Sequence, residues 1–168
     1  MQLATTGLFK AWWSHQIHEE WVRNLAKKRP DIPEEKLWSI AETMNRAVPD
    51  CLVENYQGFI DSLKLPDPDD RHVLAAAIKS HSRVIVTNNL KDFPSEYLEK
   101  YGIEAQSPDD FLLYQLDLHK GAVIASLREC RKRLKNPPKT VAEYLGTLES
   151  QGLIKFVAAL SEFRSLLN

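Results

Sequence analysis

The stretch over residues 65–93, LPDPDDRHVLAAAIKSHSRVIVTNNLKDF, constrains the fold of this chain more than any other. Pro66 and Pro68 fix their own φ and stiffen the approach, Asp69 or Asp70 can cap a helix start, and residues 72–79 read as an alanine-rich helix. Residues 83–86 are a short β-branched run bounded by polar residues. They predict a strand with both faces covered, ended by Thr87, Asn88 and Asn89. In open α/β sheets ligands sit outside the carboxyl ends of strands, so residues 87–92 and the acidic helix start are expected to line one crevice. Carboxylates gathered there repel one another unless a cation joins them. Mg²⁺ and Mn²⁺, which prefer carboxylate and water oxygens, are the simplest candidates.

The rest of the chain supplies the surroundings. Residues 1–6 read as the last turn of a helix stopped by Gly7, and residues 8–13 as a short aromatic strand. Ser14 caps a helix whose Ile17, Trp21, Val22 and Leu25 form one apolar stripe, with Glu19 and Glu20 at its flank and Pro30 at its end. Periodicity alone does not choose between the two glutamates. Residues 31–48 form a second helix with Pro33 in its first turn and Leu37, Ile40, Ala41, Met44 and Val48 inward. Residues 51–56 suggest a short edge strand. Beyond Asp92 follow a short helix at 97–100, closed by Gly102, and a short strand at 103–105. Strands and helices alternating with short connections predict a parallel sheet covered by helices, an α/β sandwich.

From residue 107 the pattern is entirely helical. Ser107, Pro108 and Asp109 start one helix and residues 122–134 form another. Asn136, Pro137 and Pro138 break the chain, Thr140 caps a helix at 141–150, and residues 153–167 make a last amphipathic one. The expected division is a principal domain at 1–106 and a helical extension at 107–168. Tyr144, Phe156 and Phe163 suit either a partner surface or the core of that extension.

Composition excludes several classes. The 168 residues suffice for one ordinary core, and a formal charge of −1 gives no global signal for nucleic acid. Cys51 and Cys130 lie in no ligand spacing, and nothing resembles a secretory leader or a bilayer-crossing run, which fits a cytoplasmic protein without a membrane partner. His15, His18, His72, His81 and His119 make no pattern such as H-E-x-x-H. Neither a phosphate-binding glycine loop nor a nucleophile elbow is present. Arg128, Arg131, Lys132 and Arg133 open a basic run that fits an RNA backbone, and fits a solvated helix face as well.

Taken singly, the acids have ordinary explanations: Asp69 and Asp70 suit a helix start, Asp92 a turn, and Glu20 a solvated face. Together they bracket one helix and one strand. TNNLKDF, residues 87–93, resembles the T-x-N-x-x-D-F signature of PIN domains, and DDRHVLAAAI resembles their third-acid helix. SHQIHEEW, residues 14–21, is similar to the segment of their second acid, which lies six residues after a serine; that spacing selects Glu20. The resemblance covers residues 7–110, and the DPDD motif and the helical extension resemble the VapC-type toxin branch.

The resemblance implies a PIN-like α/β/α sandwich and a ribonuclease whose acids hold Mg²⁺ or Mn²⁺. Glu20, Asp70 and Asp92 would be the catalytic and metal-holding acids, with Asp69 in reserve and Thr87 and Asn89 orienting the site. It implies an RNA substrate, a cognate antitoxin and a homodimer. PIN domains begin with a central strand ending in an acid, whereas residues 1–11 contain no Asp or Glu. The chain is therefore expected to start inside such a domain, with three of four acids and its activity in doubt. The alternative is a PIN fold that binds RNA or protein without catalysis.

Overall fold

The computed structural model describes residues 2–168. It is rich in helix, with one two-stranded sheet, and the chain divides into two compact units. The first comprises Lys10–Ile85 and Asn89–Ala105; the second comprises the residues up to Phe9, Val86–Asn88 and Gln106–Asn168.

In the first unit, helix α1 (His15–Lys28) starts at Ser14, whose hydroxyl accepts from the Ile17 amide at 3.2 Å. Its end falls where Pro30 can no longer supply an N–H. Helix α2 (Glu34–Ala47) has Pro33 at its cap position instead of in its first turn. Leu37, Ala41 and Val48 are buried as expected, but Ile40 faces outward at 46% exposure. The two helices are tied by Asn45, whose Oδ1 accepts from Trp13 Nε1 at 2.6 Å and meets His18 Nε2 at 2.9 Å. Trp21 Nε1 donates to the other nitrogen, His18 Nδ1. His18 is therefore satisfied at both nitrogens while buried.

The aromatic segment at 8–13 does not make a strand. Only Trp13 pairs, in a single parallel bridge with Leu52, and residues 51–56 contribute nothing more to a ladder. Two backbone bonds, Trp13 N to Cys51 O and Val53 N to Trp13 O, complete that contact. After a short helix α3 (Gln57–Ile60), the chain makes one 3₁₀ turn at Pro68–Asp70 and enters helix α4 (Arg71–Lys79). Leu74, Ala75, Ala76 and Ala77 are all buried. Consecutive small side chains bury most of this helix's circumference, so it lies within the unit's core with Val53, Tyr56, Leu63, Leu65, Ile85 and Phe93.

Strand β1 (Val84–Val86) pairs with strand β2 (Glu104–Gln106), which follows helix α5 (Ser95–Leu98) and a 3₁₀ turn closed by Gly102 at φ +66°. Glu104 N donates to Arg83 O and Thr87 N to Gln106 O, a parallel progression. Ile85 is buried, but Val86 is 45% exposed, so the strand is not covered on both faces.

The second unit is helical. Helix α6 (Pro108–Arg133) is broken at His119, whose φ −137° and ψ 46° are not helical, so two helices meet there at a kink, as expected. Helix α7 (Val141–Ser150) begins with a capping box in which Thr140 and Glu143 satisfy each other's backbone amides. Helix α8 (Ile154–Leu160) gives way to a 3₁₀ segment, Ser161–Leu167, instead of running to the end. Tyr144 and Phe156 are buried and Phe163 packs against them, so these aromatics belong to the unit's own core. Asp109 joins its elements: the carboxylate accepts from the amides of Lys155 and Phe156, both at 2.9 Å, and so caps α8 from the first turn of α6.

Candidate functional site

The turn that precedes α4 creates the site. Asp67, not Asp69 or Asp70, caps it: its Oδ1 accepts from the Asp69 amide at 2.9 Å. Asp70 occupies the cap position of α4 with helical φ and ψ and makes no side-chain cap bond. Its carboxylate is therefore not consumed by the helix. Asp69 contributes an amide to the turn, and its carboxylate lies outside the acid group. The 3₁₀ turn at Leu90–Asp92 supplies the next acid. Among the described residues, Asp67, Asp70 and Asp92 each offer a carboxylate oxygen, all within 4.8 Å of one another.

Asp67 was not among the residues singled out in the sequence. The available signal was DPDD itself, where an acid directly before a proline at a helix start is a favoured cap. Capping uses one oxygen and leaves the second for the cluster. Asn89 Nδ2 donates to Asp70 Oδ2 at 3.3 Å, which places that asparagine against the acids. Thr87 falls in the other unit, where its amide pairs with Gln106.

The two glutamates of α1 separate clearly. Glu19 is 53% exposed and meets the exposed His15 at 3.4 Å on the surface. Glu20 is 32% exposed, and its Oε1 lies 2.9 Å from Nε2 of His72, whose side chain is 1% exposed. The spacing that selected Glu20 thus selected the glutamate that points toward α4.

Electrostatics single out Asp70. Burial, followed by the negative charges of Asp67, Asp92 and Glu20, raises its pKa above the ordinary carboxylate range, with His72 opposing. Lys91 Nζ approaches Asp92 Oδ2 to 3.8 Å, but the lysine is 84% exposed and compensates little. Three convergent carboxylates with uncompensated charge are a suitable donor set for a hard divalent cation.

The basic run in the second unit is largely committed to the fold. Arg131 donates to Leu167 O at 2.9 Å and to Lys139 O at 3.1 Å, closing the C-terminal segment onto α6. Arg133 donates to Gln2 Oε1 at 2.7 Å. Arg128 has a buried Nε without a partner among the described residues, and Lys132 is exposed. No helix among the described residues is long and apolar enough to cross a membrane.

Residues 108–162 match the family described as VapC50 C-terminal domain. The chain is also 48% identical over 82 residues to a protein of Mycobacterium tuberculosis (strain ATCC 25618 / H37Rv) named "Putative ribonuclease VapC50". That alignment covers 49% of this chain and 48% of the relative, so the chain spans about half the length of the curated protein it matches. No solved structure matches. The family match falls on the helical segment, and the ribonuclease name belongs to the relative, to which this chain is similar over about half of its length.

Proposed function

We propose that the chain is a metal-dependent endoribonuclease that hydrolyses RNA phosphodiester bonds, the toxin of a type II toxin-antitoxin pair. Its fold is read as a PIN-like α/β/α sandwich over residues 1–106 with a helical extension over 107–168. The observation that carries this reading is the convergence of Asp67, Asp70 and Asp92 beside Glu20. The ribonuclease name of the relative supports it.

In this reading Asp70 and Asp92 hold the cation with Asp67, and Glu20 acts on it directly or through a water molecule. A bound Mg²⁺ or Mn²⁺ supplies Lewis acidity and a water of lowered pKa. The chain's own residues do the positioning. Asn89 orients the Asp70 carboxylate through its 3.3 Å bond, and Thr87 terminates the strand that leads to Asn89. Lys132 and the neighbouring arginines Arg128, Arg131 and Arg133 offer positive charge to the RNA backbone. The partners are an RNA substrate, a cognate antitoxin and a second copy of the chain, in the cytoplasm.

Cleavage of a mixed RNA substrate by the purified chain tests the reading. Activity is expected with Mn²⁺, is expected to vanish in chelator, and should fall about 100-fold in Asp92→Asn. Cleavage that persists in chelator overturns metal dependence. RNA binding without cleavage under Mn²⁺ points instead to a non-catalytic binding module.

A further inference from the structure

We propose that His72 is the positioning residue for Glu20: its Nε2–H holds one carboxylate oxygen and leaves the other for the cation at Asp67, Asp70 and Asp92. The inference rests on the metal reading above and extends it to a residue that touches neither ion nor substrate.

The geometry carries the argument. The 2.9 Å contact joins a side chain that is 1% exposed to one that is 32% exposed. The donor is fixed by packing in the first turn of α4, and the acceptor is a flexible side chain on α1. A glutamate with a free, half-solvated carboxylate samples many rotamers, and a single rigid donor removes most of that freedom. Nδ1 of His72 is buried and has no hydrogen-bond partner among the described residues. A proton there would be a buried donor with no acceptor, so the proton belongs on Nε2, where Glu20 accepts it. A residue serving packing alone would leave no such orphan, since an apolar side chain of similar volume fills a buried helix face without it. Sequence position adds a second link. His72 lies two residues after Asp70, so one short segment delivers both a cluster acid and the donor that restrains the acid from α1. The contrast with Glu19, which meets an exposed histidine on the surface, shows that not every histidine and glutamate pair in the chain has this character.

Mn²⁺ titration of the purified chain, followed by the electron paramagnetic resonance of the free ion, tests this without relying on activity. His72→Leu should raise the Mn²⁺ Kd about 10-fold. His72→Gln, whose Nε2 amide reaches a similar point, should restore most of the affinity. In a Glu20→Gln background, His72→Leu should have no further effect, because the histidine acts only through that carboxylate. Should the leucine variant fail to fold, His72→Asn keeps a polar group but is too short to reach Glu20, and should show the same loss. An unchanged Kd in the folded variant, or a loss that persists in the Glu20→Gln background, overturns the inference alone. Absence of Mn²⁺ binding by the unaltered chain overturns the metal reading and this inference with it.

Discussion

Asp70 is the residue at which structure and chemistry are most opposed. It stands where a helix would welcome a capping carboxylate, yet Asp67 performs that task and Asp70 is left among like charges. Because its pKa is raised in the folded chain, the folded form holds the Asp70 proton more tightly than the unfolded form does. The stability associated with that proton is present below the unfolded pKa of about 3.9 and is lost as the pH rises through the folded value. At neutral pH and without a divalent ion, the ionised group therefore destabilises the fold. Asp70→Asn is expected to raise the melting temperature in chelator at pH 7, by a margin that narrows as the pH falls toward about 4. Thermal melts across that range check it; a variant that melts lower than the parent at pH 7 contradicts it. The same substitution should abolish any stabilisation by Mn²⁺. A gain in one buffer and a loss in the other is the signature of a group placed for binding at the expense of folding.

At the scale of elements, two long-range polar ties do what local sequence could not announce. Asn45 accepts from both Trp13 and His18, joining the start of α1 to the end of α2. Asn45→Ala strands two buried donors and should cost about 2 kcal/mol, read as a shift in the denaturant midpoint with an unchanged slope. Asp109 reaches the first amides of α8, 46 and 47 residues away, with both oxygens. Asp109→Ala should destabilise by about 2 kcal/mol, and Asp109→Asn by less, since the amide retains one accepting oxygen. Equal stability of Asp109→Ala and the parent would show that α8 needs no cap from α6. These ties explain where sequence reading stopped. Local rules placed Ser14, Thr140 and Gly102 at the ends of their elements, because capping and left-handed φ are set by neighbours along the chain. The same rules put Asp109 at the head of its own helix and had no means of seeing α8. They read residues 8–13 as a strand from its aromatic content, but strand formation depends on a partner ladder, and only Trp13 found one. Ile40 failed for a related reason: an apolar residue at a helical interval is buried only where something covers that face.

Over the whole molecule, a formal charge of −1 conceals a marked local imbalance. The acids at 67, 70 and 92 belong to one unit, whereas the basic run at 128–135 belongs to the other. The candidate site was legible in outline, since Glu20, Asp70, Asn89 and Asp92 were all read from motif and spacing. Asp67 was not, because a cap and a ligand have the same sequence signature and only the convergence of oxygens distinguishes them. That convergence leads to a prediction about the fold independent of any reaction. An ion that binds the folded carboxylates and not the unfolded chain stabilises by mass action, about 2.7 kcal/mol at 100 times its Kd. Mn²⁺ should therefore raise the melting temperature, while an equal ionic strength of NaCl should not, because screening of exposed charges reaches this partly buried group only weakly. Asp92→Asn should lose the gain. Hydrogen exchange should locate it: amides across residues 69–79 and 89–93 should slow on addition of Mn²⁺, whereas those of α7 and α8, which hold none of the three acids, should not. Uniform slowing over both units would mean that the ion acts by another route than the three carboxylates.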